Sequence, residues 1–197
     1  AGEMAVIVDQ GIREMMIEQR DVFYYVTLMN ENYAQPSLPD GVKEGILKGC
    51  YLFNTYRAKN QTGSVTLLGS GAILTEVIKA AEQLADRGVT AFVYSVTSWS
   101  ELARDGLACQ DARLAGATNA GVPFIYSQLG TSQGPIIAAT DYVHALPESV
   151  RAYLPADRRY LTLGTDGFGR SDTRAALREY FGVDAAAIVR ATLLALE

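Results

Sequence analysis

With 197 residues, 49% of them hydrophobic and 20% charged, the chain is long enough to bury one sizeable core and too apolar to be disordered. A formal charge of -5 argues against binding a nucleic-acid backbone, which takes clustered Lys and Arg, and no apolar run is long enough to span a membrane. His144 is the single histidine, which excludes a multi-histidine metal centre.

Residues 3–17 place Met4, Ile7, Val8, Ile12, Met15 and Met16 near one face at helical spacing. The methionines are expected as core filler rather than as a cofactor box. The chain begins Ala-Gly-Glu inside this helix, without an initiator Met, and is expected to be a piece of a longer protein. Val22–Met29 is β-branched and aromatic, a strand signal, and nearly all apolar, which asks for cover on both faces. One helix cannot supply that, so this strand is expected to have lost its sheet or to find one in another domain or subunit.

Residues 34–44, with Pro36, Pro39 and Gly41, read as an interdomain linker. Lys48–Tyr56 is a short strand that Lys59–Ser64 turns into a second strand at Val65–Leu68. Gly69-Ser70-Gly71 then opens an amphipathic helix over 72–86, with Ile73, Val77, Ala80, Ala81 and Leu84 on its buried face. The arrangement invites a dinucleotide reading and refuses it. Leu74 replaces the third glycine, and the strand Val89–Val96 carries no acidic residue near its end for a ribose. Close strand–helix packing is the better account of these glycines.

Ser98 and Glu101 have capping-box spacing, so a helix is expected from there to about Cys109, with Glu101 and Asp105 as cap and dipole residues. Residues 112–121 read as loop, Phe124–Tyr126 and Ile136–Ala139 as strands, and Asp141–Tyr153 as a helix broken by Pro147 and carrying His144 as a surface or packing residue. Cys50 and Cys109 lie far apart without C-x-x-C and read as reduced core residues of a cytoplasmic protein, with no secretion signal before them.

The stretch Gly164-Thr165-Asp166-Gly167-Phe168-Gly169-Arg170-Ser171-Asp172 joins a strand at Tyr160–Leu163 to a helix at Thr173–Tyr180. Its glycines allow φ > 0 or close approach, and Ser171 or Asp172 can cap the helix that follows. Two readings stand beside each other: a tight structural loop, and an anion or partner site at a helix N-terminus. Asp184 should cap a last helix, 185–196. From Val65 onward the order implies a three-layer α/β/α domain with a mostly parallel sheet, preceded by a helix–strand extension. No metal cluster, activated nucleophile or complete phosphate cradle is legible.

Asp21–Tyr33 (DVFYYVTLMNENY), Pro36–Gly49 (PSLPDGVKEGILKG), Leu67–Gly71 (LLGSG), Tyr94–Gly106 (YSVTSWSELARDG), Ala139–Tyr142 (ATDY) and Leu163–Asp172 (LGTDGFGRSD) together resemble the homodimeric pyruvate dehydrogenase first component, the thiamine-diphosphate-dependent, acetyl-transferring decarboxylase. The resemblance runs in order over essentially the whole chain. It implies that residues 1–33 end the pyrimidine-binding domain, that 34–64 are linker and a short hairpin strand, and that 65–197 form the transketolase C-terminal domain. It also implies a parent enzyme that uses thiamine diphosphate and Mg²⁺, forms a homodimer and meets the dihydrolipoyl acetyltransferase of its multienzyme complex in pyruvate metabolism and glycolysis. The family's cofactor motif, metal ligands and catalytic residues lie upstream and map onto nothing here. This piece is therefore expected to bind no cofactor and to be inactive alone. Gly164, Asp166, Gly167, Phe168, Gly169, Arg170 and Asp172 are expected as a structural or interface loop, with Asp166 and Arg170 binding protein groups. The alternative is an independent α/β module that binds a small anion or a partner.

Overall fold

Strand β2 (Gly63–Ser70) is the middle of a five-stranded sheet. In the computed structural model, which describes residues 1–197, the spatial order is β1-β3-β2-β4-β5. Strands β3 (Val89–Val96), β4 (Ile136–Ala139) and β5 (Tyr160–Leu163) are all parallel to β2 or to one another, and β1 (Cys50–Tyr56) is antiparallel on β3. Alternation along β2 feeds two cores. Val65 and Leu67 pack with Val77, Leu84 and Ile188 on one face, and Leu68 packs with Tyr94, Trp99, Leu102 and Ile125 on the other. Helices α3 (Leu74–Asp86) and α8 (Ala185–Leu196) cover the first face. On the second lie α4 (Trp99–Leu114), α5 (Phe124–Leu129) and α6 (Ala145–Glu148). This is the three-layer α/β/α arrangement that the alternation of elements implies. Full burial of each Leu or Ile contributes roughly 1.5–3 kcal/mol.

Cβ-free backbone lets α3 close onto the sheet. A Cβ on Gly69 would lie 2.9 Å from Val77 and 3.1 Å from Leu74, so the first glycine of Gly69-Ser70-Gly71 serves strand–helix packing. Ser98 accepts the Glu101 amide, and Asp184 the Ala187 amide, as helix caps.

Several expectations change in three dimensions. The first helix is α1 (Gly2–Ile12) and continues as a π turn over Arg13–Ile17. Its apolar residues are not core filler: Val8, Ile12, Met15 and Met16 are exposed, and only Gly11 is buried. Val22–Met29 is extended but pairs with no strand, and Phe23 and Tyr25 are each 87% exposed. Sequence favours a strand there, yet a strand needs a neighbour, and the segment pairs with neither edge of the sheet. The segment 34–49 holds a short helix, α2 (Lys43–Lys48), closed by Gly49 in the left-handed region. Strand β1 is no hairpin with β2; it is the antiparallel edge strand on β3. Helix α4 runs on to Leu114, into the expected loop. Phe124–Tyr126 is helical, because the Asp105 carboxylate takes the Phe124 amide at 2.5 Å and Pro123 precedes it at the N-cap. The expected helix over 141–153 shrinks to α6 and a 3₁₀ turn, Arg151–Tyr153.

Glu76 on α3 joins three helices. Its carboxylate is 9% exposed, accepts from Lys79 at 2.9 Å and from Arg178 of α7 (Arg174–Phe181) at 3.0 Å, and takes the Ala185 amide of α8 at 3.2 Å. Burial alone would raise its pKa, but Lys79, the Ala185 amide and Arg178 together hold it below the usual 4.5. Stability from this group is therefore complete above the unfolded-state value and is lost as pH falls through the lower folded-state value. We predict that Glu76→Gln lowers unfolding free energy by about 1–3 kcal/mol near neutral pH. As pH falls through that lowered folded-state value the two chains should converge, as denaturant titrations down the acid range will read.

Candidate functional site

The parallel strands β2, β4 and β5 all end at one edge of the sheet, and the strand order reverses between β2 and β4. In open α/β sheets the crevice outside the carboxyl ends at such a reversal is where ligands bind. Here the crevice is a cleft of about 270 Å³ lined by Asp141, Thr165, Gly167, Arg170, Arg174 and Arg178, with Met29 and Phe181 as apolar wall. Asp141 follows β4, Thr165 follows β5, and the arginines come from the glycine loop and α7.

The loops after β4 and β5 are zipped together. Asp141 and Tyr142 offer their carbonyls to the Thr165 hydroxyl at 2.6 Å and to the Thr165 amide at 2.8 Å. Gly164 is buried where a Cβ would meet the His144 amide nitrogen and the Tyr142 carbonyl oxygen, both at 2.8 Å. Asp166 takes the His144 amide at 2.9 Å and faces its Nδ1 at 2.8 Å. The His144 amide, with the ring behind it, holds the Asp166 carboxyl below its usual range. Beneath the cleft, Ser70 donates to Thr140 at 2.7 Å.

Gly167 lies at φ +93, in the left-handed region, with open space around it. Gly169 is outside that region and also open. Phe168 between them is 96% exposed. Arg170 stacks over the Tyr180 ring, 5.0 Å from its centroid, and donates to the Tyr180 hydroxyl at 2.9 Å. Neither Ser171 nor Asp172 caps α7. Thr173 does, accepting the Ala176 amide, while Asp172 accepts the Thr173 amide.

Asp141, Arg174 and Arg178 line this cleft without having been singled out by sequence reasoning. Asp141 is half-buried; its carboxyl receives only its own amide, and burial raises its pKa despite the nearby Arg178. Arg174 pairs through Nε with Glu31, and Arg178 donates to the Tyr33 hydroxyl at 3.1 Å. The i,i+4 repeat Arg170, Arg174, Arg178 was the available signal. Nowhere do three or more His, Cys, Asp or Glu side chains converge as a metal site would require.

This fold and this carboxyl-edge cleft define a class. Residues 49–184 match the family described as Transketolase-like TK C-terminal domain, and the chain belongs to that family. Residues 1–36 match the Pyruvate dehydrogenase E1 component middle domain. The chain is 48% identical, over its whole length, to a pyruvate dehydrogenase E1 component of Pseudomonas aeruginosa, of which it covers 22%. It is also 48% identical to that of Escherichia coli over 98% of the chain and 22% of the relative. It thus spans about a fifth of the length of these relatives. Among solved structures, a transketolase from Campylobacter jejuni shares the fold at 18% identity and TM-score 0.52, covering 82% of this chain and 20% of its own. No helix is long and apolar enough to cross a membrane.

The two loop glycines make a discriminating pair. Gly167→Ala forces a Cβ into the left-handed region and is expected to cost about 1–2 kcal/mol of stability. Gly169→Ala meets neither strain nor clash and should stay within about 0.5 kcal/mol of the parent. Paired thermal melts of the two variants test this.

Proposed function

We propose that this chain is the C-terminal part of a pyruvate dehydrogenase first component, a thiamine-diphosphate-dependent oxidoreductase that decarboxylates pyruvate and passes the acetyl group to lipoyl groups of an acetyltransferase. The carrying observation is order: an E1 middle-domain match at 1–36 is followed directly by the transketolase C-terminal match at 49–184, with 48% identity throughout. In this reading residues 1–33 finish the preceding pyrimidine-binding domain and 34–64 connect the two, with β1 lent to the sheet. The domain at 65–197 serves fold and assembly, in a homodimer and beside the acetyltransferase, in the cytoplasm. The Gly164–Asp172 loop is an interface and positioning element of that domain.

The residues here do not fit thiamine diphosphate with Mg²⁺. The cleft offers one carboxylate, Asp141, against three guanidinium groups, whereas Mg²⁺ takes oxygen ligands in near-octahedral geometry. Calorimetry on the chain alone should show no saturable, Mg²⁺-dependent thiamine diphosphate uptake, and co-expression with an enzyme truncated before residue 1 should restore pyruvate decarboxylation. Stoichiometric cofactor binding by the chain alone would refute the reading.

The extended segment carries a second expectation. Phe23, Tyr25 and Leu28 are exposed at 87%, 87% and 68%, a patch that water penalises. Phe23→Ser with Tyr25→Ser should raise the monomer fraction of the isolated chain in sedimentation without lowering its melting temperature. An unchanged monomer fraction counts against this use of the segment.

A further inference from the structure

The cleft at the carboxyl edge concentrates positive charge in a chain whose formal charge is -5. Arg170, Arg174 and Arg178 line it, against the single carboxyl of Asp141. Two of the three guanidiniums keep donors to spare. Arg170 donates to one uncharged partner, the Tyr180 hydroxyl, and meets no carboxylate. Arg174 is engaged only by Glu31, through Nε. Arg178 forms the floor, fixed by Glu76 and Tyr33. Forked guanidinium donors suit planar or tetrahedral oxyanions better than a single point charge would.

The placement of Arg174 sharpens this. It is the first residue of α7, where the helix dipole disfavours a cation and favours an anion. Glu31 supplies that anion. A free oxyanion in the cleft would satisfy both the dipole and the arginine, in competition with Glu31. Across the cleft, Asp141 is half-buried with no partner but its own amide. A buried carboxyl without a partner is costly, and a hydroxyl or ammonium group on the ligand would supply one.

We propose that this cleft binds a small dianion, a phosphate ester or a dicarboxylate, that also carries a hydroxyl or ammonium group facing Asp141. Arg170 and Arg174 hold the oxyanion, Arg178 orients Arg174 and closes the floor, and Glu31 is the internal competitor. A volume of about 270 Å³ admits a compact metabolite and not a dinucleotide. Because Glu31 and Tyr33 lie in the segment that matches the middle domain, occupancy would loosen that segment from α7. The site requires no catalysis by this chain and does not depend on the identity of the parent enzyme.

The test uses the whole polypeptide that carries this chain, with inorganic phosphate, malate, succinate and acetate as probes at constant ionic strength. Isothermal calorimetry should show saturable binding of phosphate or malate with Kd about 1 mM or tighter, and acetate should not bind. Which of the two binds identifies the head group. Malate should exceed succinate, and Asp141→Asn should erase that difference. Arg170→Gln should weaken binding about tenfold or more. Glu31→Gln should tighten it, an outcome that misfolding cannot imitate. Absence of saturable binding for both phosphate and malate, or equal affinity in the parent, Arg170→Gln and Glu31→Gln proteins, overturns the proposal.

Discussion

The Glu76 carboxylate is the joint on which the arrangement of α3, α7 and α8 depends. A carboxylate removed from water is tolerated only when its lone pairs are met by charge and by amides. Here Lys79, Arg178 and the Ala185 amide meet them. Each of these partners sits on a different piece of the chain, so satisfying one carboxylate fixes how three helices stand. Arg178 is held in position by Glu76, and the i,i+4 relation then carries Arg174 to the cleft rim. Tyr33 and Glu31 reach the same two arginines. The tie between the N-terminal segment and the domain therefore runs through the same joint, supported by Glu3, which accepts from Tyr51 at 2.7 Å and from Ser95 at 2.5 Å.

The contrast between the two halves of the molecule follows from what each can bury. The sheet offers two faces, and both are filled by residues at or near zero exposure. The first 33 residues offer an amphipathic helix and a two-faced apolar extended run that pairs with no strand. Polar contacts at a few points, such as Tyr142 to Thr27 at 2.6 Å, hold the segment against the domain without covering it. Individually such exposed contacts contribute little. The apolar surface left in water outweighs them.

Much of the fold was legible because its signals were local and agreed with one another. The run at Val89–Val96, the capping pair Ser98 and Glu101, and Asp184 before an Ala- and Leu-rich helix each say the same thing in sequence and in space. Phe124–Tyr126 misled because three apolar residues fit strand or helix equally, and Asp105, nineteen residues away, decides between them. The capping of α7 was shared among neighbours, and Thr173 prevailed over Ser171 and Asp172 by its extended backbone. The methionines of the first helix carry the right periodicity for a core, but no core lies against them here. Periodicity reports which face wants cover, not whether cover is present.

The site was harder to read for a physical reason. The glycine loop stands out in sequence, yet glycines mark backbone geometry and not ligands: Gly164 allows the two loops to touch, and Gly167 turns the chain. The groups with chemistry to offer are ordinary in sequence. Asp141 lies in a plain Asp-Tyr pair, and Glu31 is separated from Arg174 by most of the chain. What makes them a site is the parallel sheet, which delivers the ends of β4 and β5 to one edge, and the zip between the loops that follow, which holds Asp141 opposite the arginines. The pairing of Asp166 with His144 belongs to that zip. Its carboxylate is spent on holding one loop to another, which leaves the charge of the cleft to Asp141 and the guanidinium row. A motif conspicuous in sequence thus builds the frame, and inconspicuous residues brought to the same edge supply the recognition.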